Sequence, residues 1–133
     1  IWDWNVSFGG TSDWDVFEPE GWLYRDVDAV WFSRLVEDPA YVEAWTDRWT
    51  QVRGGELATD HLLADIADTA ALLDEAQARN FERWPVLGES IDELPHLNYP
   101  GWADRPTYAD EVAYLEDWLV PRLAWIDEHI DDL

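Results

Sequence analysis

The sequence predicts a mainly α protein entered by one short strand. Three observations carry this: long stretches with apolar residues at helical spacing, proline and glycine at the ends of those stretches, and a single alternating run at the start. From Trp2 to Phe8 the residues Trp2, Trp4, Val6 and Phe8 fall on one face and Asp3, Asn5 and Ser7 on the other, which predicts a half-buried strand over residues 2–8. Gly9-Gly10-Thr11-Ser12 breaks it, and residues 11–26 read as irregular, with Pro19 and Gly21 among aromatics.

Helices follow. A short one is expected over Ala29 to Val36, stopped by Glu37-Asp38. Pro39 suits the first turn of the next, which runs to about Arg53 with Asp38 as N-cap, and Gly54-Gly55 ends it. On it Val42, Trp45 and Trp49 recur at helical spacing. The longest regular stretch is Glu56 to Trp84, with Leu62, Ile66 and Leu73 on one stripe and Pro85 as its stop. Four of the seven prolines lie between Pro85 and Pro106, in a connection whose Leu94, Leu97, Tyr99 and Trp102 suit it to lie against the surface of the body. The last helix begins at Thr107, where Asp110 completes a capping box. Its buried stripe is Val112, Leu115, Leu119, Leu123 and Ile126, and Pro121 is expected to kink or split it. The eleven tryptophans fall mostly on these stripes and are expected to pack the core.

Composition narrows the function. Acids outnumber bases 30 to 8 for a net charge of −22, and all the bases are arginine. Such a surface repels phosphate backbones and anionic lipid, so nucleic acid and membrane surfaces are excluded as partners. The absence of lysine fits either adaptation to concentrated salt, as in a halophile, or the codon bias of a GC-rich genome. There is no cysteine, hence no disulfide or thiolate metal site. No apolar run approaches the ~18 residues of a membrane span. His61, His96 and His129 are scattered without an HExxH, and no phosphate-binding GxxxxGK[ST] loop occurs. The run from Asp3 mimics the start of a calcium loop, but Phe8 stands where that turn needs glycine and Trp14 where a bidentate Glu belongs. Trp14 and Trp22, in the irregular segment, remain open as ligand-facing aromatics. Asp3, at a strand followed by a glycine turn, has the setting in which phosphoryl-transfer enzymes hold Mg²⁺.

Four separated motifs, WDWNVSFGG, WFSRLVEDPAYVEAWTDRW, NFERWPVLG and TYADEVAYLEDWLVPRLAWID, occur in an order that resembles the C-terminal part of the CotH kinase family, named for spore coat protein H. The resemblance runs nearly end to end. It implies the helical C-terminal part of an atypical protein-kinase-like lobe, with residues 1–133 as a single partial domain whose N-terminal part is missing. It implies phosphate transfer from ATP with Mg²⁺ to a secreted or surface protein, in an extracellular or cell-surface setting. Asp3 matches the family's metal-binding aspartate, Asn5 stands where many members have a second aspartate, and Gly9 matches the glycine that follows. On this reading Asp3 and Asn5 bind metal and cofactor, and no catalytic residue lies in this segment. Since the phosphate-contacting lysine of a kinase has no counterpart here, the piece alone is not expected to turn over. The alternative is a non-catalytic scaffold that keeps the fold and binds a protein or polysaccharide. Arg79 and Arg83 are read as helix-terminal charges, and Pro121 departs from the family pattern.

Overall fold

A computed structural model describes residues 8–9, 17–22, 30–90 and 100–133. These residues form a mainly α protein, and no strand occurs among them. The strand expected over residues 2–8 lies outside the described residues except for Phe8, which stands in a 3-10 turn. The helices are α1 (Val30–Leu35), α2 (Pro39–Arg53), α3 (Thr59–Arg83) and α4 (Tyr108–His129), with 3-10 turns at Trp102–Asp104 and Ile130–Asp132.

Local signals set most boundaries. The Asp38 side chain accepts the Ala40 N–H at 2.9 Å, and Pro39 occupies the first turn of α2, where its missing N–H costs nothing. Beyond Arg53 the chain rolls through a tight turn. The Gly54 and Gly55 amides return to the carbonyls of Thr50 and Val52, and the Leu57 amide shares the Val52 carbonyl. Those bonds, together with Arg53 donating to the Leu57 carbonyl, hold residues 54–57 out of the helix. Helix α3 therefore starts at Thr59 rather than at Glu56. Thr107 and Asp110 form the expected reciprocal capping box at the head of α4.

Pro121 neither splits nor ends α4, which continues unbroken to His129. The proline and Asp117, the residue whose carbonyl it leaves without its helical partner, both lie on the exposed side, where water can satisfy that carbonyl. Trp118, Leu119 and Leu123 are buried on the other side and hold the helix through the gap.

The core is centred on α4, which packs along α3, while α2 meets the C-terminal 3-10 turn. Trp118, Leu119, Leu123 and Ile130 are buried, and Leu62, Ile66, Leu115 and Ile126 are half-buried around them. The expectation of tryptophans as core residues holds fully for Trp118 alone among the described residues. Trp31 is 83% exposed, and Trp45 and Trp84 are exposed as well. Trp45 stacks on Tyr41 instead of entering the core, and Trp84 lies beneath the Arg83 guanidinium. In α3 the stripe reaches the core at Leu62 and Ile66 but not at Leu73, which is 43% exposed.

Candidate functional site

Helix α4 carries Tyr114, Trp118 and Arg122 at spacing four, so the three side chains form one column. All three donate to backbone carbonyls of the N-terminal segment. The Tyr114 hydroxyl donates to Gly9 at 3.0 Å and the Trp118 indole N–H to Phe17 at 2.9 Å. Arg122 Nη1 donates to both Pro19 at 3.0 Å and Gly21 at 2.7 Å. An irregular segment has carbonyls that no helix or sheet satisfies, and this column supplies their donors.

The fit is tightest at Gly9, which is buried and has a φ of 74°. A β-carbon there would stand 2.7 Å from Trp118 Cδ1 and 2.9 Å from the Tyr114 hydroxyl. Both the left-handed backbone and the close approach therefore require glycine. Phe8 adds an edge-to-face contact with Trp118, ring centroids 5.8 Å apart. Further along, Trp22 meets Trp125 edge-on at 4.9 Å and lies 5.6 Å below the Arg122 guanidinium. Trp22, left open as a ligand-facing ring, is thus engaged in packing against α4; Trp14 lies outside the described residues.

The electrostatics follow from burial. Burial raises the Tyr114 phenol above its ordinary range, opposed by the Arg105 guanidinium 4.1 Å from its ring and reinforced by Glu111 and Glu18. The phenol thus stays a donor. Burial also lowers Arg122, which offsets part of that loss by donating to two carbonyls.

A second centre joins α2, α3 and α4. Arg53 forks onto both oxygens of Asp127, with Nη2 to Oδ2 at 2.8 Å, and also donates to the Leu57 carbonyl and to Thr59 Oγ1. The Trp49 indole N–H donates to the same carboxylate at 2.8 Å. The hydrogen bond to Arg53 holds Asp127 below its usual range against the opposing effect of burial, with the Trp49 bond helping. Between these centres lies an apolar cavity of about 580 Å³, walled by Trp49, Ile66, Leu115, Leu119 and Ile126, with Phe8 and Trp118 also lining it.

Asp3 and Asn5, the residues singled out for metal and cofactor, lie outside the described residues, and Gly9 of the same motif is placed as given above. Among the described residues no group of three His, Asp or Glu side chains forms a metal cluster. No described helix is long and apolar enough to cross a membrane. In the RNFERWP stretch, Arg79 pairs with Glu75 one turn back, Phe81 faces Tyr108, and Arg83 covers Trp84. The Tyr114–Trp118–Arg122 column escapes sequence reasoning. Its only sequence signal is polar-tipped residues at i, i+4 and i+8 beside the apolar stripe, and nothing in the sequence marks carbonyls as their partners.

A family model described as CotH kinase protein matches residues 1–126 of the 133-residue chain. No curated protein and no solved structure matches it.

Proposed function

The chain belongs to the CotH kinase protein family, and from that premise we propose that it supplies the metal-binding part of an atypical kinase that transfers phosphate from Mg·ATP to a secreted or surface protein. The observation that supports this reading is the family match across residues 1–126, which takes in Asp3 and Asn5. The donor set fits the cation: a carboxylate and an amide oxygen are hard ligands of the kind Mg²⁺ takes. Asp3 and Asn5 would hold Mg²⁺, which would supply positive charge against the ATP phosphates.

The chain's own residues have distinct parts. Asp3 supplies the anionic ligand and Asn5 a neutral one, and the Gly9 turn fixes where their segment ends. The chain as a whole, at net charge −22, repels a free nucleotide. ATP without metal therefore binds poorly, and selectivity for the metal complex is built into the surface. The chain has no lysine, so the lysine contact to the phosphates that kinases use is not among these residues.

The test is Asp3→Ala in the complete protein, assayed for ATP-dependent phosphate transfer. Transfer falls to background while the melting temperature is retained. Undiminished transfer by this variant removes the assignment.

A further inference from the structure

We propose that the cavity walled by α3 and α4 binds a linear aliphatic carboxylate, its chain along the apolar wall and its head on Arg122. The inference goes beyond the proposed kinase role and does not depend on it.

The helices give the cavity its shape. Its lining on α4 runs from Tyr108 to Ile126, about 27 Å along the helix axis, so the space is long rather than round. Leu62 and Ile66 from α3 and Leu115 and Leu119 from α4 make its walls aliphatic. A volume of about 580 Å³ lies in the range of small-molecule sites. Toward the Ile126 end of that lining stands Arg122. Among the described arginines, Arg34, Arg53, Arg79 and Arg105 pair with carboxylates, and Arg48 and Arg83 are exposed. Arg122 differs from all of them. It is half-buried, and in a chain with 30 acids no carboxylate pairs with it among the described residues. Its Nη1 is spent on the Pro19 and Gly21 carbonyls, and the ring centroids of Trp22 and Trp125 lie 5.6 and 5.1 Å from the guanidinium carbon. These contacts satisfy two N–H donors and leave the charge without an opposite one. Nε and Nη2 make no hydrogen bond among the described residues. Their parallel N–H groups match the two oxygens of a carboxylate. Asp65, the one acid in the lining among the described residues, is exposed and lies 3.4 Å from His61. An aliphatic wall with a single unpaired guanidinium thus selects an apolar chain bearing one anionic head.

The test is calorimetry on the complete protein with decanoate, decanol and decyltrimethylammonium as probes, and melting temperature in parallel to show that each variant is folded. Decanoate is expected to bind one per chain and about tenfold more tightly than decyltrimethylammonium, although the net charge of −22 favours the cation. Each methylene added from octanoate to decanoate tightens binding about fourfold, the worth of burying that group. Arg122→Gln weakens decanoate about tenfold and leaves decanol unchanged. Ile66→Phe narrows the channel and weakens decanoate and decanol alike. Ile66 takes no part in the grip on Pro19 and Gly21, so this variant decides the matter even where Arg122→Gln fails to fold. If decyltrimethylammonium or decanol binds as tightly as decanoate, Arg122 does not receive a carboxylate and the proposal fails. It fails equally if decanoate gives no saturable heat, or if folded Arg122→Gln or Ile66→Phe binds it as the unmodified protein does.

Discussion

Helix α4 joins two distant parts of the chain by opposite means. Near its C-terminus, Asp127 meets Arg53 and Trp49 of α2, side chain to side chain, with a charge on each partner of the ion pair. Along its middle, Tyr114, Trp118 and Arg122 reach the backbone carbonyls of Gly9, Phe17, Pro19 and Gly21, with a charge on one side at most. The first arrangement depends on which residue stands opposite, and the second depends only on where the opposite backbone runs. A side-chain pair fixes how helices meet and answers to pH and salt. A grip on carbonyls holds an irregular segment whatever its sequence, save at Gly9, where the backbone comes too close for any side chain.

The largest expected effect removes the support common to both. Leu123 is 4% exposed on the buried face of α4, between Arg122 and Asp127. Leu123→Ala leaves a void beside the existing cavity and is expected to cost about 2–5 kcal/mol. Denaturant unfolding checks it, with Leu72→Ala, at a residue 82% exposed, staying within about 0.5 kcal/mol of the unmodified protein. If the two centres were independently supported, hydrogen exchange in the Leu123 variant would loosen at only one of them.

Next comes the charged centre. Arg53→Ala takes away the Asp127 fork and the donors to Leu57 and Thr59, and is expected to cost about 1–3 kcal/mol. It also changes the acid limb. Asp127 is held below its ordinary value near 3.8, so its contribution is complete above that value and is lost as pH falls through the lowered one. Acid unfolding of Arg53→Ala should therefore be less steep in this range than that of the unmodified protein. Equal slopes would show that the pair contributes nothing.

The carbonyl grip titrates at the other end of the scale. The Tyr114 phenol is raised above its ordinary value near 10.0, chiefly by burial. The stability it contributes is complete below that value and is lost as pH rises through the raised one. Ultraviolet titration of the tyrosines should show a late-ionising phenol that is absent in Tyr114→Phe, at a stability cost near 1 kcal/mol. No late-ionising phenol would mean that Tyr114 is not buried as described.

The same contrast explains what the sequence made legible. Asp38, Pro39, Thr107 and Asp110 act within their own turn, so the starts of α2 and α4 could be read directly. The start of α3 could not, because Arg53 holds the Leu57 carbonyl and extends the Gly54-Gly55 break over Glu56 and Leu57. Pro121 misleads for a related reason: its cost depends on whether its side of the helix faces water, which periodicity alone did not weigh. Asp127 is one of 30 acids, and nothing local distinguishes the one that Arg53 chooses. Asp3 and Asn5 were singled out from a motif and lie outside the described residues, whereas the column that seats Gly9 was invisible because half of every contact is backbone. Trp31, Trp45 and Trp84 show the limit of hydrophobic pattern: it marks a face as apolar without saying that anything covers it.

Salt sharpens the comparison most finely. At net charge −22 the body repels itself, and screening shortens from about 10 Å at 0.1 M to about 3 Å at 1 M. Raising KCl at fixed pH should therefore raise the melting temperature, and no gain would leave codon bias as the explanation for a protein without lysine. Within that rise the two centres part. Asp127 is partly exposed, so its attraction to Arg53 is screened, and the gap between the unmodified protein and Arg53→Ala should narrow by a few tenths of a kcal/mol. The neutral phenol-to-carbonyl bond feels no such screening, and the gap to Tyr114→Phe should stay constant. Were both gaps to narrow equally, the phenol would be acting through charge, and the distinction between an ion pair and a grip on backbone would fail at Gly9.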